Sequence, residues 1–295
     1  MKLRRIWPVN SPTPVYQTFN GSQWQDFNDF VPFASGNNIK SENMSSANLL
    51  PFQPLSFRDF MLYERHAIDS ARGYVKRFMP VAYQTARLYE RMTGATFPSF
   101  KPKTIWYRQP VYYFGNHLTF VADGTPVKTP DYSSALDYEL ELGFVLAKPL
   151  LNPTPEEALQ AIGAFVVLCD FSARDVQRTE MESGFGPQKS KHFLSSMSSI
   201  AITAEEILPD LVNNLAARVE INGKIIVETS TIGMQYSLAQ VLCHAANNEQ
   251  LYPGELFGTG TLPGGSGLEN GHWLEKGCQL HLSIEGIGDI QHSIV

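Results

Sequence analysis

Two glutamates one residue apart, Glu139 and Glu141, stand in the segment LDYELELG. A β-strand sends alternate side chains to one face, so these carboxylates should point the same way, with Asp137 in the same row. The residues between them are leucines and a tyrosine, which predicts a half-buried strand. A row of acids is tolerated where water solvates it, as on an edge strand, or where a cation neutralises it. Both interpretations are open at this point.

Asp170 is a further acid in an informative position. It ends the apolar run AIGAFVVLC and begins the segment DFSARDVQ. An acid at the end of a buried strand is unusual, so it favours a cation site over a solvated edge. Cys169 lies inside the run and is interpreted as a small core residue rather than a nucleophile.

Composition narrows the class of protein. The chain has 295 residues, 43% of them hydrophobic, which suffices for one large core or two modest ones. The net charge of −6 and the lack of basic clusters beyond the first few residues argue against nucleic acid and anionic membranes as partners. No apolar run has secretory or membrane-spanning length, and the three cysteines are far apart. We therefore expect a cytoplasmic protein that binds small molecules.

The pattern of elements predicts a mostly β (α+β) fold. Residues 1–55 are rich in Asn, Ser and Pro, yet carry too many aromatics, Phe30 and Phe33 among them, for a solvated tail. They are predicted to form an N-terminal arm or small subdomain, followed by a catalytic domain over residues 56–295. Short alternating or apolar runs dominate from about residue 105 and predict strands.

Four helices are predicted in this pattern. One begins at Ser56 as its N-cap and runs to residue 70, and a second covers PVAYQTARLYERM and stops at Gly94. Others are expected at TPEEALQAIGAF, starting at Thr154, and at SLAQVLCHAANN. On the first helix Asp59 and His66 would share a face about 10 Å apart, so that they either bind one extended ligand or are unrelated.

Five ordered pieces of the chain together resemble the fumarylacetoacetate hydrolase family. They are Asp59 with His66, LDYELELG, DFSARDVQ, a Gly-rich stretch reaching KSKHF, and GTGT near the end. The resemblance covers roughly residues 55–295 and implies the family's mixed β-sandwich roll with peripheral helices. Family members are commonly homodimers, so a homodimer is expected.

Carried over by position, the resemblance implies that one divalent cation is bound by Asp59, Glu139, Glu141 and Asp170. Hard oxygen ligands select Mg²⁺, Mn²⁺ or Ca²⁺. The resemblance also implies that a second group of residues stabilises the negative charge that develops on the departing carbonyl compound. This group is Arg174, Gln177 and Lys191, with Lys189 as the rival to Lys191.

In the hydrolase branch the resemblance implies a general base made of His66 and Glu269. A histidine held by a carboxylate keeps one tautomer and becomes more basic, so it can deprotonate water. The water would attack a 1,3-dicarbonyl compound and break a carbon–carbon bond without a nucleophilic serine. Tyr113 matches a substrate-side tyrosine, and Thr261 matches a substrate-binding threonine, with Thr259 as the weaker choice.

Other reactions occur on the same fold, so the family does not fix the reaction. Without Glu269, His66 would shuttle a proton in the tautomerisation of a 2-oxo acid, and a decarboxylase or other lyase would use the same metal site. A non-catalytic binding protein would have lost some ligand, whereas all four carboxylates are present. Phe171 stands where many members carry Trp. Four aromatics suggest either a pocket for a large acyl group or core packing: Tyr107, Tyr112, Tyr113 and Phe114.

Overall fold

The computed structural model describes residues 1–8, 11, 13–27, 49–210 and 212–295. Phe30 and Phe33 of the predicted N-terminal arm therefore lie outside the described residues. Within the described part of the chain, none of the helices is both long and apolar enough to cross a membrane.

Strands make up most of the regular structure. In chain order they are β1 (Lys2–Ile6), β2 (Val15–Phe19), β3 (Trp24–Asp26), β4 (Ser56–Phe60), β5 (Tyr112–Gly115), β6 (Phe120–Ala122), β7 (Leu136–Asp137), β8 (Glu139–Leu146), β9 (Ile162–Asp170), β10 (Ser172–Ala173), β11 (Ser195–Met197), β12 (Ile200–Thr203), β13 (Ala216–Ile221), β14 (Lys224–Ser230), β15 (Glu255–Ser266), β16 (Gln279–Ile284) and β17 (Gly288–Ser293).

The helices lie between and around these strands. The α-helices are α1 (Glu64–Phe78), α2 (Pro80–Thr93), α3 (Pro155–Gln160), α4 (Arg174–Glu182), α5 (Leu238–Ala245) and α6 (Gly267–Asn270). Short 3₁₀ helices cover Pro98–Phe100, Thr104–Tyr107, His117–Thr119 and Ala204–Glu206.

The strands of the described residues form three sheets. The main sheet has eleven strands, with the order β3-β2-β1-β12-β9-β8-β15-β4-β5, and β11 joins it by pairing with β9 and β6. A second sheet has the order β14-β13-β16-β17, and β10 pairs with β7. This mostly β architecture with peripheral helices is the predicted α+β fold, which is confirmed.

The acidic strand lies in the centre of the main sheet. Antiparallel β9 and β15 flank β8, and all eight residues of β8 are buried. The predictions of a half-buried strand and of a solvated edge strand are therefore both wrong. Side chains on the opposite face, such as Leu140 and Leu142, belong to the hydrophobic core, where Phe144 stacks on Phe257. The acidic face is thus enclosed by protein rather than water.

The predicted helix from Ser56 is also wrong in its first part. Residues 56–60 form β4, which is parallel to β15 and antiparallel to β5, and α1 begins only at Glu64. Phe57 is buried on one side of the sheet and Phe60 on the other. Strand pairing and this burial override the local helical pattern. Asp59 consequently lies on a strand and His66 on the following helix, and they do not share a helical face.

The other three helices are confirmed, with shifted ends. α2 stops at Gly94, whose φ of 66° gives the left-handed C-cap that favours glycine. The Thr154 side chain begins α3 with a capping box, but α3 ends at residue 160 because β9 starts at Ile162. Cys169 is a buried core residue, as predicted.

The described strands of the N-terminal region extend the main sheet. β1 is antiparallel to both β12 and β2, and β2 pairs with β3. Leu50 and Phe52 pack in a buried cluster with Phe57 of β4. The division into an arm over 1–55 and a catalytic domain over 56–295 stays a prediction.

Candidate active site

One cavity of about 970 Å³ gathers most of the predicted site residues. Nine of them line it: Asp59, His66, Tyr113, Glu139, Glu141, Arg174, Gln177, Lys191 and Thr261. The other two predicted residues, Asp170 and Glu269, lie behind the lining and contact its members. Residues from six separate segments of the chain therefore meet at one place.

The main sheet positions the carboxylates. Glu139 and Glu141 lie on β8, Asp170 ends β9, and Asp59 lies on β4. Gly258 of β15 makes their approach possible: a Cβ at this position would lie 2.7 Å from Glu141 Oε2 and 2.8 Å from Asp59 Oδ1. Any side chain here would push apart the two carboxylates, so the glycine keeps the space between them open.

Glu139 and Asp170 are neutralised by buried cations. Lys191 Nζ donates to Glu139 and, over 2.6 Å, to Asp170 Oδ2, while Arg174 Nη2 lies 2.5 Å from Glu139 Oε1. Burial by itself would raise the pKa of Glu139, but Arg174 and Lys191 outweigh it and hold that pKa well below its usual range. Asp170 Oδ1 also accepts a 3.0 Å hydrogen bond from Ser195.

Asp59 and Glu141 have no such partners. Asp59 Oδ1 and both carboxylate oxygens of Glu141 are buried and accept no hydrogen bond. Burial, followed by the charge of Asp170, raises the pKa of Asp59 to about 8. Burial and the charge of Asp59 raise the pKa of Glu141 well above its usual range. Two buried, unpaired carboxylates are costly, so they require either protons or a cation.

The donor set of this pair fits a hard divalent cation. Mg²⁺, Mn²⁺ and Ca²⁺ prefer carboxylate oxygens, and the three oxygens without partners belong to Asp59 and Glu141. Among the described residues, no three His, Cys, Asp or Glu side chains converge closely enough to hold an ion. Two of the four predicted ligands, Glu139 and Asp170, instead accept hydrogen bonds from Lys191. The predicted set of four ligands is thus assembled around one cavity but not in a coordinating arrangement.

His66 and Glu269 form a buried pair at the cavity wall. His66 Nδ1 lies 2.9 Å from Glu269 Oε2, and both side chains are almost fully buried. Burial by itself would lower the pKa of His66, but the Glu269 carboxylate outweighs it, and the pKa is raised. Because a carboxylate accepts at Nδ1, the neutral ring carries its proton there, and Nε2, which lies 3.4 Å from the Ser70 hydroxyl, is the nitrogen that can accept another proton.

Close packing of α1 on α6 brings this pair together. A Cβ at Gly73 would lie only 1.8 Å from the Leu268 carbonyl oxygen, so only glycine permits this approach. Glu269 is fixed in turn, because its Oε1 accepts from the Gly264 amide at 2.8 Å and its Oε2 from the Ser266 hydroxyl at 2.8 Å. The Glu269 carboxylate is therefore held in one orientation through both of its oxygens.

Asp137 is a site residue that the sequence pattern placed in the acidic row but to which it gave no role. It is fully buried on β7, and it accepts hydrogen bonds from the Gly267 and Leu268 amides and from Arg174 Nε at 2.7, 3.0 and 2.8 Å. It thereby links the start of α6 to Arg174. Ser195 and Ser266 were also missed, since an isolated serine gives no signal in one sequence.

The structure separates the rival assignments. Lys191 is buried in the site, whereas Lys189 is exposed and lies over the ring of Tyr132. Thr261 lines the cavity and lies opposite Glu141 in the sheet, while the Thr259 hydroxyl donates to the Gly260 carbonyl. These contacts favour Lys191 and Thr261.

Tyr113 and Gln177 face the cavity but also support its charged groups. The Tyr113 hydroxyl donates to Asp170 Oδ2 at 2.6 Å, so this tyrosine orients the acid as well as lining the site. Gln177 Oε1 accepts from Arg174 Nη1 at 2.9 Å.

The four predicted pocket aromatics divide into two groups. Tyr112 and Tyr113 line the cavity, whereas Tyr107 and Phe114 are exposed elsewhere; Tyr107 donates to Glu64. Phe171 is fully buried and packs edge-to-face against His292, with ring centroids 5.4 Å apart.

Comparison with known proteins assigns the family. The model of the family described as "Fumarylacetoacetate (FAA) hydrolase C-terminal" matches residues 100–295, about two thirds of the chain. The chain therefore belongs to the fumarylacetoacetate hydrolase family. Asp59 and His66 precede the matched range, so this part of the site lies outside the segment that defines the family.

Curated relatives are identical to the chain at about a quarter of the aligned residues. Oxaloacetate tautomerase FAHD1, mitochondrial, from Bos taurus is 26% identical over 177 residues, which is 60% of this chain and 80% of the relative. Oxaloacetate tautomerase fahd2, mitochondrial, from Xenopus laevis is 26% identical over 64% of this chain and 59% of the relative.

Solved structures share the fold over the whole chain. Fumarylacetoacetate hydrolase from Exiguobacterium antarcticum has a TM-score of 0.71 at 19% identity, covering 100% of this chain and 99% of that one. The 5-carboxymethyl-2-hydroxymuconate delta-isomerase of Mycobacterium smegmatis has a TM-score of 0.69 at 18% identity, with the same coverage. At these identities the likeness concerns the fold alone.

Proposed function

We propose that the chain is a divalent-cation-dependent hydrolase that cleaves the carbon–carbon bond of an acylpyruvate or similar 1,3-dicarbonyl acid. The observation that carries the proposal is the buried His66–Glu269 pair, 2.9 Å apart, on the wall of a cavity that contains two unpaired carboxylates. Such a pair supplies a general base where a bound dicarbonyl compound would need one.

The cation would be bound by Asp59 and Glu141, and Glu139 and Asp170 would join them by giving up hydrogen bonds to Lys191. When bound, Mg²⁺ or a similar ion would polarise the two carbonyl oxygens of the substrate and offset the charge of the cluster. The fit rests on the buried oxygens of Asp59 and Glu141 that accept no hydrogen bond. These oxygens match the hard-cation preference for carboxylates.

His66 would move the protons of the hydrolysis. Its Nε2 takes a proton from water, and the resulting hydroxide oxygen forms a bond to the carbonyl carbon. The carbon–carbon bond then breaks, its electron pair leaves with the pyruvate-like fragment as an enolate, and His66 returns the proton to that carbon. Glu269 stabilises the imidazolium that forms between the two transfers.

Arg174 and Lys191 would stabilise negative charge in this reaction. Both are buried and fixed by carboxylates, so their positions are set before substrate arrives. Gln177 and Thr261 line the cavity and offer neutral hydrogen-bonding groups for the carboxylate and carbonyl oxygens of the substrate.

A second function, tautomerisation of a 2-oxo acid, is favoured by the names of the curated relatives. Those quoted above are oxaloacetate tautomerases, and this observation supports the second function more than the first. The same His66–Glu269 pair would take a proton from the carbon beside the keto group and return it to the enol oxygen or the carbon. Tautomerisation needs no water in the site.

Product analysis distinguishes the two functions. Metal-stripped protein would be incubated with acetylpyruvate, a longer acylpyruvate or oxaloacetate, with and without Mg²⁺ or Mn²⁺, and the products would be identified by NMR. The hydrolase predicts equimolar pyruvate and carboxylic acid that depend on the cation. His66→Ala should abolish both products.

His281→Ala is the matched control. His281 lies on β16 near two carboxylates, 3.4 Å from Asp289 and 3.6 Å from Glu220, but outside the cavity. This variant should retain full activity. Exchange between keto and enol forms of oxaloacetate without any cleavage would support the tautomerase instead, and unchanged cleavage in His66→Ala would contradict the proposed base.

A further inference from the structure

The cavity continues well beyond the charged groups, along α1. One face of this helix lines it from His66 to Val75, through Ala67, Ser70, Ala71 and Tyr74. At 1.5 Å per residue, the wall from Ala67 to Val75 is about 12 Å long. Small side chains come first, next to His66, and larger ones follow, so the cavity has room immediately beside the base.

Apolar side chains that follow α1 in the chain also line the cavity. Met79, Ala82 and Ala86 of the α1–α2 hairpin and the rings of Phe97 and Phe100 line this end of the cavity. Within the described residues, the two hydrophobic core clusters contain none of these side chains. Ala86 and Phe100 are buried, whereas Ala82 is exposed and Met79 and Phe97 are half-buried, so the last three keep apolar surface that a ligand can cover.

The two ends of the cavity differ in charge. The charged lining residues around β8 and β9, together with His66, make one end suited to an anionic dicarbonyl head. At the other end the charged group is Arg178, whose side chain is 44% exposed and pairs with Glu182 at 2.6 Å. Arg178 is thus a single, solvent-exposed cation on lining that is otherwise apolar, in contrast to the buried charges at the first end.

We infer that the substrate carries an apolar acyl arm, which lies along α1 with its dicarbonyl head among the carboxylates. The inference rests on the proposed function, and it names the substrate class: acylpyruvates or related 2-oxo acids with an extended alkyl or aryl group. A small dianion such as oxaloacetate leaves the space beside α1 and α2 empty. The hairpin that builds this wall precedes residue 100, where the family match begins.

Binding of unreactive 2-oxo acids tests the inference without turnover. Pyruvate, 2-oxobutanoate, 2-oxohexanoate and 2-oxooctanoate would be titrated by calorimetry in the presence of Mg²⁺, with oxaloacetate alongside. Burial of each added methylene should tighten binding by about threefold to fourfold. Equal affinities along the series would overturn the inference.

Two pairs of variants locate the arm. Ala71→Leu should fill the cavity beside α1 and remove the gain in affinity for the longer acids. Ala95→Leu, at an exposed position away from the cavity, should leave that gain unchanged. Val75→Thr keeps the shape but adds a hydroxyl, so it should weaken only the longer acids. Val81→Thr is its control, on the outer face of α2, where Val81 is 83% exposed.

The outcomes separate this inference from the proposed function. A chain-length gain that Val75→Thr reduces, found in a protein that does not cleave acylpyruvates, would uphold the acyl arm and reject the hydrolase. Cleavage of acylpyruvates without any gain in affinity along the series of 2-oxo acids would support the hydrolase and reject the acyl arm. Oxaloacetate binding tighter than every monoacid, with that advantage lost in Arg178→Gln, would overturn the apolar arm in favour of a second carboxylate.

Discussion

The two pairs of carboxylates in the cavity face opposite electrostatic conditions. Glu139 and Asp170 are held by Lys191, with Arg174 also on Glu139, and the pKa of Glu139 is held low. Asp59 and Glu141 lie as deep but have buried oxygens without partners, and their pKa values are raised. The first pair has its partners within the protein, and the second requires either protons or a cation.

This difference shows how the site divides its work. The balanced pair fixes Arg174 and Lys191, which under the proposed function would stabilise substrate charge. The unbalanced pair is where binding of the proposed cation would recover the cost of burying two acids. Removing a cation that holds the balanced pair should therefore destabilise the fold, whereas neutralising a carboxylate of the unbalanced pair should stabilise it.

The largest effect is expected at Arg174. Arg174→Met would leave Asp137 and Glu139 buried without their cation, and breaking such a pair costs about 3–5 kcal/mol of unfolding free energy. Urea denaturation measures the loss. A decrease below about 1 kcal/mol, the size expected for a surface pair, would show that the balanced pair is not held together as described.

Glu141 should give the opposite sign in chelated protein. Glu141→Gln removes an acid that the fold must bury either charged without a partner or protonated, and without a cation it should raise the unfolding free energy by about 1–3 kcal/mol. The same variant should lose the stabilisation that Mg²⁺ gives to the unsubstituted protein. Thermal melts with EDTA and with Mg²⁺ measure both effects, and a variant destabilised in EDTA would contradict the unbalanced pair.

The pH dependence of activity tests the base. His66 must be neutral to accept a proton, so activity is present above its folded pKa and lost as the pH falls through that pKa. Glu269 raises this pKa, so Glu269→Gln should move the acid limb of kcat/KM to lower pH. The rate above the limb should fall by about tenfold to a hundredfold, because the ring loses its orienting partner. If the acid limb of kcat/KM does not move, it reports the titration of a group other than His66.

The smallest effect is expected at Lys189, the alternative to Lys191 that lies outside the cavity. Lys189→Met changes an exposed cation near Tyr132 and should alter stability by less than about 0.5 kcal/mol and leave activity unchanged. Lys191→Met, in contrast, removes the cation between Glu139 and Asp170 and should abolish most activity. Similar behaviour of the two variants would remove the distinction between them.

The parts of the site that follow from local periodicity could be predicted from the sequence. Alternation alone places Glu139 and Glu141 on one face, and the apolar run ending at Asp170 marks a buried strand end. The order of five motifs then gave the family and its fold. The burial of the acidic face could not be predicted, because it depends on β9 and β15 lying on either side of β8.

The parts that depend on distant contacts could not be derived from spacing. Asp59 was placed on a helix because the segment after Ser56 has helical character, and only pairing with β15 and β5 makes it a strand. The His66–Glu269 pair joins segments far apart in the chain and was accessible only through the family resemblance. The close approach of α1 at Gly73, which brings that pair together, left no recognisable signal.

The most direct test of the account is a calorimetric titration of metal-stripped protein with Mn²⁺ or Mg²⁺. The unsubstituted chain should bind one ion, Asp59→Asn and Glu141→Gln should lose that binding, and Glu275→Gln, an exposed control, should retain it. Unchanged binding in both Asp59→Asn and Glu141→Gln would contradict the claim that the unbalanced carboxylates form the cation site.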